Sequence, residues 1–141
     1  MKEGCLVMTR LNLVDPELLI DQHLVSEYRE IPRIFNNPPK TSRVPDRYVL
    51  GPGHVTFFRD KIDFVLERHQ KLVEEMQKRG FRTSIQLEDP QSKPDWQPTK
   101  RDVMLSVQRL VEKIETMNPE PRYYGLLIFR EQAIEFVKTA L

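Results

Sequence analysis

The chain has 141 residues, 39% hydrophobic and 30% charged, with a net charge of +1 and one cysteine, Cys5. Such a length and composition fit one globular domain with its own core, while a balanced charge gives no case for a nucleic-acid partner except through where the charges sit. A lone cysteine excludes an internal disulfide framework and a cysteine-based zinc set, no apolar run approaches the roughly 20 residues of a membrane span, and Cys5 to Met8 is too short for a signal-peptide core. A reducing, intracellular (cytoplasmic) compartment is therefore expected.

Residues 1–8, MKEGCLVM, carry neither a period nor a cap. They read either as an ordinary N-terminus or as an extension upstream of a start at Met8. Initiator methionine is removed when the next side chain is small, so a start at Met8 exposes the α-amine of Thr9. The expected division is thus an extension, 1–8, and a domain, 9–141. A first helix is predicted with Asp15 as N-cap, Pro16 in the first position and Glu17 near the positive dipole end. Ile20, Leu24, Tyr28, Ile31 and Phe35 form its apolar stripe. Gln22, Ser26, Arg29, Glu30 and Arg33 fall on the opposite side, with His23 at its edge. Pro32 should kink or stop the helix.

Residues 36–53 read as a proline-punctuated loop carrying Lys40, Arg43 and Arg47. A second helix is predicted from about His54 to Arg79, with Gly80 as its stop. Residues 81–98 read as loop, with a brief alternation at Thr83, Ile85 and Leu87. A third helix opens at Thr99, with Asp102 making a near-match to a capping box, and places Arg109 and Lys113 on one face. Asn118 to Pro121 ends it, and the apolar tail, Leu126 to Leu141, has room for a short helix. The expectation is an all-α fold: a compact single domain of three main helices with long polar connecting loops.

Glu30 between Arg29 and Arg33 reads as a solvated face of weak ion pairs, or as a working carboxylate if a nucleophile lies nearby. The Thr9 amine offers one. An α-amine has a reference pKa of about 8 against about 10.4 for lysine, so far more of it is neutral and nucleophilic at neutral pH. His23, His54 and His69 are not at metal-ligand spacing, and Gly51-Pro52-Gly53 lacks the lysine and length of a phosphate loop. Arg10, Arg29, Arg33, Lys40, Arg43, Arg47, Arg109 and Lys113 read either as one phosphate-binding surface or as scattered solubilising charge.

Met8-Thr9-Arg10-x-Asn12-Leu13, Asp21-Gln22-His23-Leu24 and Glu27-Tyr28-Arg29-Glu30-Ile31-Pro32-Arg33 together resemble the opening of the phage-type endonuclease V family, the pyrimidine-dimer DNA glycosylases. Gly53-His54-Val55-Thr56-Phe57-Phe58, Lys78-Arg79-Gly80-Phe81, Arg109-Leu110 with Glu112-Lys113-Ile114, and Tyr123-Tyr124-Gly125 continue the resemblance in order. The resemblance implies a small all-α enzyme, without metal or cofactor, that excises cyclobutane pyrimidine dimers from duplex DNA and nicks the abasic site by β-elimination. It implies that the Thr9 amine forms an imine with the sugar and that Glu30 is the acid/base. It implies DNA contacts by Arg10, Arg29, Arg33, Arg109 and Lys113, with Gln22 and His23 beside them, on a kinked duplex with a base turned out. The chain departs from the family before Tyr123, where Glu120 and Pro121 stand in a usually more aromatic segment, and in the extension, which would leave Thr9 as an amide. Two alternatives stay open: an inactive binder of damaged DNA with a blocked N-terminus, and a helical interaction protein unrelated to DNA.

Overall fold

A computed structural model describes residues 11–36, 44–50, 54–87 and 96–141. Among them are five α-helices, α1 (Asp21–Asn36), α2 (His54–Phe57), α3 (Ile62–Lys78), α4 (Lys100–Thr116) and α5 (Arg130–Lys138), and a two-stranded sheet, β1 (Arg122–Tyr123) with β2 (Leu126–Leu127). The fold is mostly helical, with more pieces than three main helices.

Asp15 does cap, its carboxylate accepting the Glu17 N–H at 3.0 Å, but it caps only a 3-10 turn over Pro16–Leu18. The backbone turns extended at Leu19, and α1 starts at Asp21. Burial explains the difference from the predicted start: Leu19 and Ile20 both enter the core completely, and a continuous helix would splay them about 100° apart. Helix α1 also continues through Pro32 to Asn36. Leu24, Tyr28 and Ile31 bury as its stripe predicts; the side chain of Phe35 lies outside the described residues.

The long second helix is interrupted. Phe57 and Phe58 are adjacent and both buried, so α2 tightens into a 3-10 turn, Phe58–Asp60, that turns both rings inward. Lys61 sits at the break, with its ammonium on the Phe57 carbonyl at 3.1 Å and 4.0 Å from the Phe57 ring centre. Helix α3 then ends as predicted. Gly80 takes φ +86°, and the N–H groups of Gly80 and Phe81 return to the Gln77 and Met76 carbonyls at 3.1 and 2.9 Å. The capping box at α4 is complete, with Thr99 and Asp102 bonded reciprocally at 2.9 and 3.2 Å. Residues 81–87 form no strand.

The hairpin was not legible in the hydrophobic pattern. Arg122 pairs with Leu127 and Tyr123 with Leu126 across a tight turn in which Tyr124 and Gly125 have φ +53° and +79°. The left-handed tyrosine is held from outside: the Asp21 carboxylate accepts the Tyr124 and Gly125 N–H groups at 3.0 and 2.7 Å. Helix α5 packs against α4 and buries Ala133 and Val137.

Inside the core lies a buried ion pair. Arg68 on α3 donates to both Glu27 oxygens at 2.7 and 2.9 Å, and Asn12 donates to the same carboxylate at 2.9 Å. Removing one member leaves an uncompensated charge in the interior. Arg68→Met is expected to lower the unfolding free energy by about 3–5 kcal/mol in urea denaturation. A loss below about 1 kcal/mol would show the pair to be structurally idle.

Candidate DNA-binding and catalytic site

Helix α1 supplies the centre of the site. The Glu30 side chain is 14% exposed and pairs with Arg33 Nη1 at 3.2 Å, whereas the Arg33 side chain is 57% exposed. Arg29 is exposed on the same helix. Gln22, Ser26, Arg29 and Glu30 line a cleft of ≈ 540 Å³ whose other wall includes Phe81, Arg122 and Gly125. Thus the structure brings together three of the expected site residues, Gln22, Arg29 and Glu30, and adds a cation, Arg122, that sequence reasoning missed. The signal was available, since Arg122 directly precedes Tyr123-Tyr124-Gly125, but nothing in a helical period points to a hairpin.

Gln22 has a second duty. Its amide donates to the Glu120 carbonyl at 2.7 Å and accepts the Arg122 N–H at 3.0 Å, so it clips the hairpin to α1. Asp21 grips the same hairpin at its turn, and Arg79 in turn binds Asp21 at 2.9 Å and Glu75 at 2.8 Å. Arg79 also lies 4.5 and 4.9 Å from the ring centres of Tyr123 and Tyr124. The far wall of the cleft is therefore fixed by charge-assisted bonds to α1 and α3.

His23 and the α4 cations form a second group. Burial, and then the charge of Lys113, push the His23 imidazole down to about 4. At neutral pH His23 is thus an uncharged ring beside Lys113, not a cation for phosphate. Among the described residues its buried Nδ1 has no hydrogen-bond partner, and neither has Arg109 Nε. Arg109 is half-buried and its Nη1 reaches Glu112 at 3.5 Å. Arg47 is exposed, in the segment 44–50. Thr9, Arg10, Lys40 and Arg43 lie outside the described residues. Among the described residues no three His, Cys, Asp or Glu side chains form a metal-holding group, and no helix is long and apolar enough to cross a membrane.

The chain segment leading out of Thr9 is held with unusual completeness. Leu11 N–H donates to His54 Nε2 at 2.8 Å, and Tyr48 Oη donates to the Leu11 carbonyl at 3.3 Å. Leu13 N–H donates to Ser106 Oγ at 2.9 Å, and Arg68 donates to the Val14 carbonyl at 2.5 Å. Through Asn12 and Glu27 this segment is also tied to α1, one turn before Glu30. None of these partners was singled out by sequence spacing, because each bond joins distant positions.

The described site is thus a helical scaffold that sets a carboxylate among arginines, with Arg122 on a hairpin across a cleft. The family model of pyrimidine dimer DNA glycosylases matches residues 8–89, more than half the chain, and the protein belongs to that family. The match takes in α1, α2 and α3 and begins at Met8; α4, the hairpin and α5 lie beyond it.

The low His23 value carries a stability consequence. The unfolded histidine titrates near 6.5 and the folded one near 4, so the unfolded state binds the extra proton first. Native stability should fall as pH drops through that window and level off below it. Burial lowers His69 too, with the same sign. His23→Gln is expected to remove about 2 kcal/mol of the stability lost between pH 7 and pH 5, read from urea midpoints at both values. An unchanged pH dependence would contradict a neutral, buried His23.

Proposed function

We propose that this glycosylase acts through an imine between the Thr9 α-amine and the sugar of a damaged nucleotide, with Glu30 as the acid/base, and that it then nicks the resulting abasic site. The observation carrying this reading is the placement of Glu30. It is largely shielded, lines a cleft, stands between two exposed arginines, and lies one helical turn from Glu27, which is bonded to the segment continuing from Thr9.

Each step has a group to perform it. The neutral amine attacks C1′, the glycosidic bond breaks, and the pyrimidine leaves with its bonding electrons and takes a proton. The attacking nitrogen loses a proton, its lone pair expels O4′ from C1′, and O4′ takes a proton, which opens the sugar to a protonated imine and makes the C2′ protons acidic. The Glu30 carboxylate removes one of them, and the electrons form a C2′–C3′ double bond and expel the 3′ phosphate oxygen. Water hydrolyses the imine and returns the amine. The attack requires a chain that begins at Thr9, and the family match starting at Met8 supports such a start. A chain that keeps residues 1–8 has an amide at Thr9, and it is then a binder of damaged DNA that does not cut.

Arg10, Arg29, Arg33, Arg109 and Lys113 form the phosphate-binding set of this reading, with Gln22 and His23 beside them and Arg122 added from the hairpin. The Arg33–Glu30 pair is exposed on its guanidinium side and contributes at most about 1 kcal/mol, so Arg33 exchanges readily onto a phosphate. The enzyme works as a monomer on duplex DNA carrying dimers or abasic sites.

Two measurements test this. Glu30→Gln should reduce single-turnover cleavage of an abasic-site duplex by about 10²–10⁴-fold while binding stays within about threefold. Full cleavage by that variant would remove Glu30 from the chemistry. Arg33→Ala should weaken binding to all sequences alike and reduce the salt slope of log K by about one. A wild-type slope would exclude a phosphate contact.

A further inference from the structure

We infer that His54 is a positioning residue for the Thr9 amine: its ring, fixed in one tautomer inside the core, sets where the nucleophile can stand. The inference rests on the imine reading above.

The tautomer follows from the partners. Nδ1 lies 2.9 Å from the Val49 carbonyl, which can only accept, so Nδ1 carries the proton. Nε2 is therefore the unprotonated acceptor that takes the Leu11 N–H at 2.8 Å. His54 is 1% exposed, and the rings of Tyr48 and Phe58 stand edge-on to it, each with its centre 5.4 Å away. Buried this way, the imidazole cannot meet DNA, so it is no catalytic base. Nor is it a histidine merely filling the core, because its acceptor atom serves the backbone N–H two residues after Thr9. Leu11 itself is fully buried, so that N–H needs a partner.

Chain geometry turns this bond into a constraint on chemistry. Two residues reach at most about 7 Å, which bounds the distance of the Thr9 amine from Leu11. With the His54 acceptor gone, the hold on Leu11 among the described residues is the longer Tyr48 bond at 3.3 Å, and the next firm tether is Asn12 on Glu27 at 2.9 Å. The span from the nearest firm tether to Thr9 is then three residues instead of two. Effective concentration falls as about the −3/2 power of length, roughly twofold from slack alone. Misplacement of the attacking atom by about 1 Å adds up to about a hundredfold. Substrate affinity is set elsewhere, by the arginines, so the loss belongs in the chemical step.

The test is the rate of borohydride trapping on a saturating abasic-site duplex, beside the Kd from fluorescence anisotropy, for chains that begin at Thr9. His54→Leu removes the acceptor; His54→Gln places an amide oxygen near the position of Nε2. Expected are trapping about 10-fold or more slower in His54→Leu, recovery to within about threefold in His54→Gln, and Kd within about twofold in both. Trapping at the wild-type rate in folded His54→Leu overturns the inference, as does a His54→Gln variant as slow as His54→Leu, or a loss confined to Kd. If His54→Leu does not fold, Tyr48→Phe, which deletes only the hydroxyl on the Leu11 carbonyl, must slow trapping by about twofold or more without changing Kd; an unchanged rate overturns the inference. A wild-type chain that gives no adduct at all sinks the imine reading, and this inference with it, whereas normal wild-type trapping with indifferent variants sinks this inference alone.

Discussion

Arg68 and Glu27 meet where α1, α3 and the N-terminal segment converge, and neither is more than 7% exposed. Taking two charges out of water costs several kcal/mol per ion unless every remaining donor and acceptor is met. Here they are met by the chain entering the domain: Asn12 completes the Glu27 carboxylate, and the Val14 carbonyl takes a third guanidinium bond. The pair therefore does more than join two helices. It makes burial of residues 12–14 a condition of burying the charges, and so fixes the one stretch that leads from Thr9 to the helix bearing Glu30.

A second charged latch holds the other side of the cleft. Arg79, its side chain fully enclosed, binds Asp21 and Glu75, and Asp21 secures the hairpin turn through the Tyr124 and Gly125 amides. Both latches share α1. The helix is thus clamped on one side to the segment that follows Thr9 and on the other to the hairpin carrying Arg122, and the Glu30 cleft opens between the hairpin, Phe81 and α1. Rigidity in these walls suits chemistry that depends on holding an amine, a sugar and a carboxylate in one geometry. Arg29 and Arg33 stay exposed, as groups meant to exchange partners must.

Local features were legible in the sequence. The Leu24, Tyr28 and Ile31 stripe of α1, the Thr99–Asp102 box and the Gly80 stop follow from periods and caps, and all are present. The grouping of Gln22, Arg29 and Glu30 followed from helical spacing. Where prediction strayed, burial competed with a local signal: Leu19 and Ile20 delay α1, and the adjacent Phe57 and Phe58 break the long helix. The hairpin depends on φ > 0 at Tyr124, a conformation enforced by Asp21 from another element. The bonds that fix the Thr9-proximal chain join residues 15 to 93 positions apart, beyond any helical period. Membership of the pyrimidine dimer DNA glycosylases was legible too, because blocks such as Glu27-Tyr28-Arg29-Glu30 combine a fold requirement with a chemical one: Glu27 and Tyr28 are buried, while Arg29 and Glu30 face the cleft.

The central proposal is that the Thr9 α-amine, with the shielded Glu30 carboxylate, does the chemistry. It is tested most directly by borohydride reduction on an abasic-site duplex, followed by intact mass and peptide mapping of the adducted protein. The account predicts one adduct per chain, carried on the α-amine of Thr9. An adduct on a lysine, or on a chain that still carries residues 1–8, would contradict it.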